Sequence, residues 1–88
     1  MKEVLYFTAK WCKPCQKMKP LLKSLESEFK DEITFTTVDV DIERELTLQA
    51  GVEGMPTFVF LQDNKELHRF VGADEGKLDT FVRNLANM

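Results

Sequence analysis

The sequence predicts an α/β fold of order β-α-β-α-β-β-α, a four-stranded mixed sheet covered on both faces by three helices. Three observations carry this expectation. Strand-like apolar runs alternate with stretches of helical periodicity, as crossover connections require. The segment between the first two strands is long enough to be such a crossover, which makes those strands parallel. The last two strands are separated only by Gln62-Asp63-Asn64-Lys65, too short for anything but an antiparallel hairpin.

Each element has its own justification. Lys2 to Thr8 is dense in β-formers and nearly continuous in apolar character, the pattern of a strand buried on both faces. Between Pro14 and Lys30, Met18, Leu21, Leu22, Leu25 and Phe29 recur at helical spacing, with lysines, Ser24 and glutamates on a solvated face. Pro14 suits the first turn, whereas Pro20 has no N–H for the ladder, so the expectation is one helix bent at Pro20. Ile33 to Val40 alternates, and Thr34, Thr36 and Thr37 suit an edge strand. Asp41 is placed to cap a short helix through Ala50, with Ile42, Leu46 and Ala50 on its buried side and Gly51 ending it. Thr57 to Leu61 and Glu66 to Val71 form the hairpin, where Asp63 and Asn64 tolerate positive φ. Gly72 breaks the last strand, Asp74 offers a cap, and Leu78, Phe81, Val82 and Leu85 mark the closing helix. No repeat or linker interrupts residues 1–88, which read as a single domain.

Composition narrows the function. The chain has 12 Lys plus Arg against 15 Asp plus Glu, a net charge of −3, the wrong sign for a domain that collects phosphates, so nucleic acid is not an expected partner. The apolar stretch Val4 to Phe7 is too short for a signal peptide or a membrane span, which predicts a cytoplasmic protein without a membrane partner. Only two cysteines are present, Cys12 and Cys15. Bridging them closes a four-residue ring that loop-closure entropy values at no more than about 2 kcal/mol, so the pair makes a poor staple and its purpose is chemical. With no third cysteine and only His68 far along the chain, a monomer has no four-ligand metal site.

Trp11-Cys12-Lys13-Pro14-Cys15 lies at a strand-to-helix junction. Cys12 is expected at the helix N-terminus, where unsatisfied N–H groups and the dipole favour a thiolate, with Lys10 and Lys13 adding positive charge. Cys15 is three residues on and shares its face, Pro14 stiffens the backbone between them, and a reversible disulfide is within reach. Cys12 is therefore the candidate nucleophile and Cys15 the candidate resolving thiol, buried one turn inside the helix, in an exchange that needs no bound cofactor or metal. His68, and the aromatic residues Phe29, Phe58, Phe60 and Phe81, read as structural, as does Tyr6, with its hydroxyl near a polar partner.

Over essentially its whole length the chain resembles the thioredoxin family, through Trp11-Cys12-Lys13-Pro14-Cys15, Pro20, Asp39-Val40-Asp41, Gly54-Met55-Pro56-Thr57 and Val71-Gly72. The resemblance implies sheet order 2-1-3-4 and a cis bond between Met55 and Pro56 packed against the dithiol. It also gives Met55 a backbone pairing with an extended substrate segment, and has Trp11, Gly54, Gly72 and Ala73 line the apolar surface around it. It further implies a monomer that reduces disulfides of target proteins and is recharged from NADPH by a thioredoxin-reductase-type flavoprotein. Several features depart from the pattern. Met1 begins almost at the strand that leads to the cysteines, without the strand and helix that usually precede it, an outline similar to glutaredoxins and to short archaeal or viral thioredoxins. Tyr6 and Thr37 stand where the family places a buried aspartate and its lysine neighbour, and Lys13 replaces a glycine. Two rival readings follow: a glutathione-recharged glutaredoxin-like enzyme, to which Gly72-Ala73-Asp74 bears a faint similarity, and a binding protein, including a dimer sharing an iron–sulfur cluster through Cys12.

Overall fold

In the computed structural model, which describes residues 1–88, Lys2–Thr8 forms the central strand β1. Its unbroken apolar run is explained by burial on both sides: Val4 and Tyr6 face one core cluster, Phe7 the other. Strand β2 (Ile33–Asp39) pairs with it in parallel, Lys2 opposite Ile33 and Tyr6 opposite Thr37, and ends one residue short of the predicted Val40. On the other side β1 pairs antiparallel with β3 (Thr57–Gln62), which pairs antiparallel with β4 (Lys65–Val71), giving the order β2-β1-β3-β4. Asp63 and Asn64 both have positive φ, 52° and 67°, as a two-residue hairpin turn demands. The β3–β4 register shifts after Phe60, passing from the pair Phe60/His68 to Leu61/Glu66.

The first helical stretch is two helices, not one bent helix. α1 (Lys13–Lys17) and α2 (Lys19–Glu28) are separated by Met18. Pro20 cannot donate to the carbonyl four residues back, and the chain answers by closing the turn early, Met18 N–H donating to Cys15 O at 3.1 Å. The sheet is therefore covered by four helices rather than three. Met18, Leu22 and Leu25 still reach the core at the predicted spacing, and the lysines of both helices are exposed.

α3 (Arg44–Gln49) also departs from the predicted helix. Asp41 does not cap it; Glu43 occupies the cap position without a side-chain bond. Ile42 N–H and Glu43 N–H both donate to Asp39 O, a turn that delays the helix and rotates its phase. Ile42 is consequently 72% exposed and Leu46 is exposed too; Thr47 turns inward in their place, and of the predicted stripe only Ala50 faces the sheet. Ala50 and Val52 pack on Phe7, Val38 and Val59, covering the second face of the sheet.

α4 (Glu75–Ala86) lies over the first face with α1 and α2, burying Leu78, Val82 and Leu85 against Val4, Phe58 and Phe60. Tyr6, Phe58 and Phe70 stack in a row with centroids 5.0 Å apart at each step. Arg83 of α4 reaches Glu28 of α2 at 2.7 Å across the solvent side. Asp74 caps α4 as predicted, accepting from Lys77 N–H at 3.0 Å. Asp74→Ala is expected to lower stability by about 1 kcal/mol, which a domain of this size shows as a melting midpoint lower by roughly 4–8 °C. An unchanged midpoint in a thermal scan would show that the first turn of α4 does not depend on this bond.

Candidate active site

β1 delivers the chain to the two cysteines. After Thr8 the backbone turns so that Cys12 N–H donates to Ala9 O at 3.2 Å, leaving Cys12 in extended conformation as the N-cap of α1. Its Sγ accepts from Cys15 N–H at 3.3 Å, the place a serine or aspartate oxygen takes at an ordinary helix start. The two sulfurs are joined in a disulfide with Cα atoms 5.3 Å apart, and no other cysteine remains. They are not equivalent: Cys12 keeps 6% of its surface exposed while Cys15 keeps none.

Around this bridge the chain supplies few charges. Lys10 and Lys13 are exposed, and no Asp, Glu, Lys, Arg or His belongs to the buried set. The buried polar side chains are Thr8 and Thr57. Thr57 Oγ1 donates to Gly54 O, holding the loop before β3. Tyr6, directly beneath α1, donates its hydroxyl to Cys15 O at 2.5 Å. Burial pushes the Tyr6 phenol up from its usual range; the neighbouring Thr8 hydroxyl pulls the other way without completing a hydrogen bond.

Trp11 projects outward, 66% exposed, and its Nε1–H donates to Asp41 Oδ2 at 2.8 Å. This is the role Asp41 has instead of capping α3. No local signal announces it, because the two residues are thirty positions apart and meet only when β1 and β2 end side by side. Gln16 Nε2 also escaped the sequence reading; it donates to Ala9 O at 2.9 Å and ties α1 to the loop before it.

The second half of the surface comes from the loop before β3 and the end of β4. The Met55–Pro56 bond is cis. Gly72 N–H donates to Pro56 O at 2.8 Å, which brings Gly54, Met55, Gly72 and Ala73 to one place. Met55 and Ala73 pack against the core cluster that contains both cysteines. The approach of the two segments is close enough that a Cβ on Gly54 would stand 3.0 Å from Val71 Cγ1, and Gly72 has φ +118°, so both positions suit glycine. Neither the N–H nor the C=O of Met55 is hydrogen bonded within the chain, leaving its backbone free at the surface. His68 is exposed on β4, its ring 4.1 Å from that of Phe81, and takes no part in the site. No group of three or more His, Cys, Asp or Glu side chains could hold a metal ion, and no helix is long and apolar enough to cross a membrane.

Comparison with known proteins places this geometry. The family model described as Thioredoxin matches residues 1–84. Thioredoxin-1 of Drosophila melanogaster is 44% identical over 82 residues, covering 93% of this chain and 77% of the relative; thioredoxin of Gallus gallus is 37% identical over the same length and coverage. Among solved structures, the germline-specific thioredoxin Deadhead of Drosophila melanogaster superposes with a TM-score of 0.93 at 43% identity, covering 96% of this chain and 80% of that one. The Fasciola hepatica thioredoxin gives 0.90 at 40% identity, covering 94% and 79%.

Proposed function

Since the chain belongs to the thioredoxin family and is a thiol-disulfide oxidoreductase, we propose that its residues 1–88 act as one monomeric domain that reduces disulfides of target proteins, with Cys12 as nucleophile and Cys15 as resolving thiol. The observation that carries the division of labour is the asymmetry of the bridge: Cys12 caps the helix, keeps a little exposed surface and accepts a backbone N–H at its sulfur, whereas Cys15 keeps no exposed surface. A donor N–H aimed at sulfur favours the thiolate, and the exposed charges of Lys10 and Lys13 act in the same direction.

The reaction runs in two displacements. Cys12 thiolate attacks one sulfur of the substrate disulfide; a Cys12–substrate S–S bond forms and the other substrate sulfur leaves as thiolate. Cys15 then gives up its proton and attacks Cys12 Sγ; the Cys12–Cys15 bond forms, and the second substrate sulfur leaves with the electron pair and is protonated in turn. The substrate gains two electrons and the protein is left in the bridged form. Pro14 and Pro56 support the geometry of the pair. Met55 offers its free N–H and C=O to an extended substrate segment, and Trp11, Gly54, Gly72 and Ala73 supply apolar contact around it.

Electrons return from NADPH through a thioredoxin-reductase-type flavoprotein, in the cytoplasm. Recharging by glutathione is the weaker reading, because an apolar aromatic residue, Trp11, precedes Cys12 and Ala73 stands where a second glycine would be. The test is NADPH consumption with excess disulfide substrate, comparing thioredoxin reductases from several species with glutathione plus glutathione reductase. Turnover with a thioredoxin reductase is the expected result. Turnover with glutathione alone would overturn the assignment of the electron donor.

A further inference from the structure

We propose that Tyr6 is a positioning residue for the resolving step: its buried hydroxyl, bonded to the carbonyl of Cys15, holds Cys15 Sγ in line for attack on the mixed disulfide at Cys12. This rests on the reading of Cys15 as the resolving thiol.

Little else holds Cys15. α1 is five residues long, too short to be stable alone, contains Pro14 with no N–H, and is interrupted at Met18. Its first turn is fastened at one end by two bonds to Ala9 O, from Cys12 N–H and Gln16 Nε2. At the other end, the bond from Tyr6 is the single hydrogen bond from β1 to the helix. In the bridged protein the Cys12–Cys15 bond also fixes the turn. During the reaction that bond is open, and Cys15 must find Cys12 Sγ from its own anchoring. The Tyr6 hydroxyl does not involve sulfur, so its bond persists through the cycle.

The phenol suits this task. Its ring is clamped by stacking on Phe58, and burial keeps it protonated across the working pH range, so it remains a donor. Intramolecular attack depends steeply on alignment, and displacements well below the length of a bond in a nucleophile's resting place slow it severalfold. The bond-making is the second displacement written above: Cys15 sulfur bonds to Cys12 sulfur, the Cys12–substrate bond breaks, and its electron pair leaves with the substrate thiolate.

Tyr6→Phe tests this, since it keeps the stacked ring and removes only the hydroxyl. An aryl disulfide probe, 5,5′-dithiobis(2-nitrobenzoate), releases one coloured thiolate when Cys12 attacks and a second when Cys15 resolves, so stopped-flow absorbance separates the steps. In Tyr6→Phe the first release is expected at the unmodified protein's rate within about twofold, and the second about 3- to 10-fold slower, the loss of one hydrogen bond's worth of alignment. The pH midpoint of the second release should stay where it is in the unmodified protein, with a lower plateau. Equal slowing of both releases, no slowing of either, or a moved midpoint with an unchanged plateau would each overturn the proposal; the last would make Tyr6 a determinant of acidity. Thermal unfolding of Tyr6→Phe in the reduced state accompanies the kinetics. Cys15→Ser in the same assay separates the two claims: a second release that survives in it refutes the resolving role of Cys15 itself, whatever Tyr6→Phe does.

Discussion

Cys12→Ser is expected to reduce turnover of disulfide substrates by about 10³-fold or more, the scale on which enzymes lose rate when the nucleophile is removed. The reason is acidity and softness together. A serine hydroxyl in this place would still accept the Cys15 N–H and would cap α1 at least as well as sulfur does, so the fold is not what the substitution damages. What is lost is the thiolate, the only species in thiol-disulfide exchange that attacks sulfur at neutral pH. The check is paired: steady-state reduction of a protein disulfide, and thermal unfolding of the reduced proteins. Activity lost with the melting midpoint held identifies Cys12 as the reacting group. Retained activity would mean that Cys15, the only other thiol in the chain, attacks the substrate disulfide, and would overturn the assignment of Cys12 as the nucleophile.

The contrast between what the sequence disclosed and what it withheld follows contact range. The hairpin was legible because Asp63-Asn64 answers a local backbone demand, and β1 was legible because burial on both faces leaves an apolar run with no alternation. The Cys12–Cys15 pair was legible because its chemistry needs a spacing of three, which the chain displays directly. The phase of α3 was not. Ile42 and Leu46 have the right spacing for a buried stripe, but the turn closed on Asp39 O delays the helix until Arg44 and rotates that stripe outward. Pro20 announced a disturbance without revealing its form; the break at Met18 depends on the turn closing on Cys15 O. Asp41 and Tyr6 illustrate a different limit. A polar partner for the Tyr6 hydroxyl was foreseeable, yet its identity as the Cys15 carbonyl depends on how α1 crosses over β1. The bond from Trp11 to Asp41 likewise exists only once two parallel strands end at the same level.

Cys15→Ser should arrest the cycle rather than prevent it. Cys12 still attacks, one substrate thiolate is released, and the protein accumulates as a mixed disulfide detectable by intact-protein mass, with catalytic turnover falling about 10²-fold or more because an intramolecular nucleophile at high effective concentration has been replaced by external thiols. Added thiol is expected to restore slow turnover in proportion to its concentration, at a level below that of the unmodified protein given the same thiol. The burial of Cys15 sets a second consequence. A serine hydroxyl in a position with no exposed surface and no charged neighbour faces a desolvation cost of about 1–3 kcal/mol unless it finds a partner. Cys15→Ala avoids that cost while removing the same sulfur, so the two variants should trap the mixed disulfide equally and differ in melting midpoint, with the serine variant lower. Release of substrate at the unmodified rate from either variant would show that resolution comes from outside the chain, and Cys12 would then act alone, as a monothiol recharged by a second molecule.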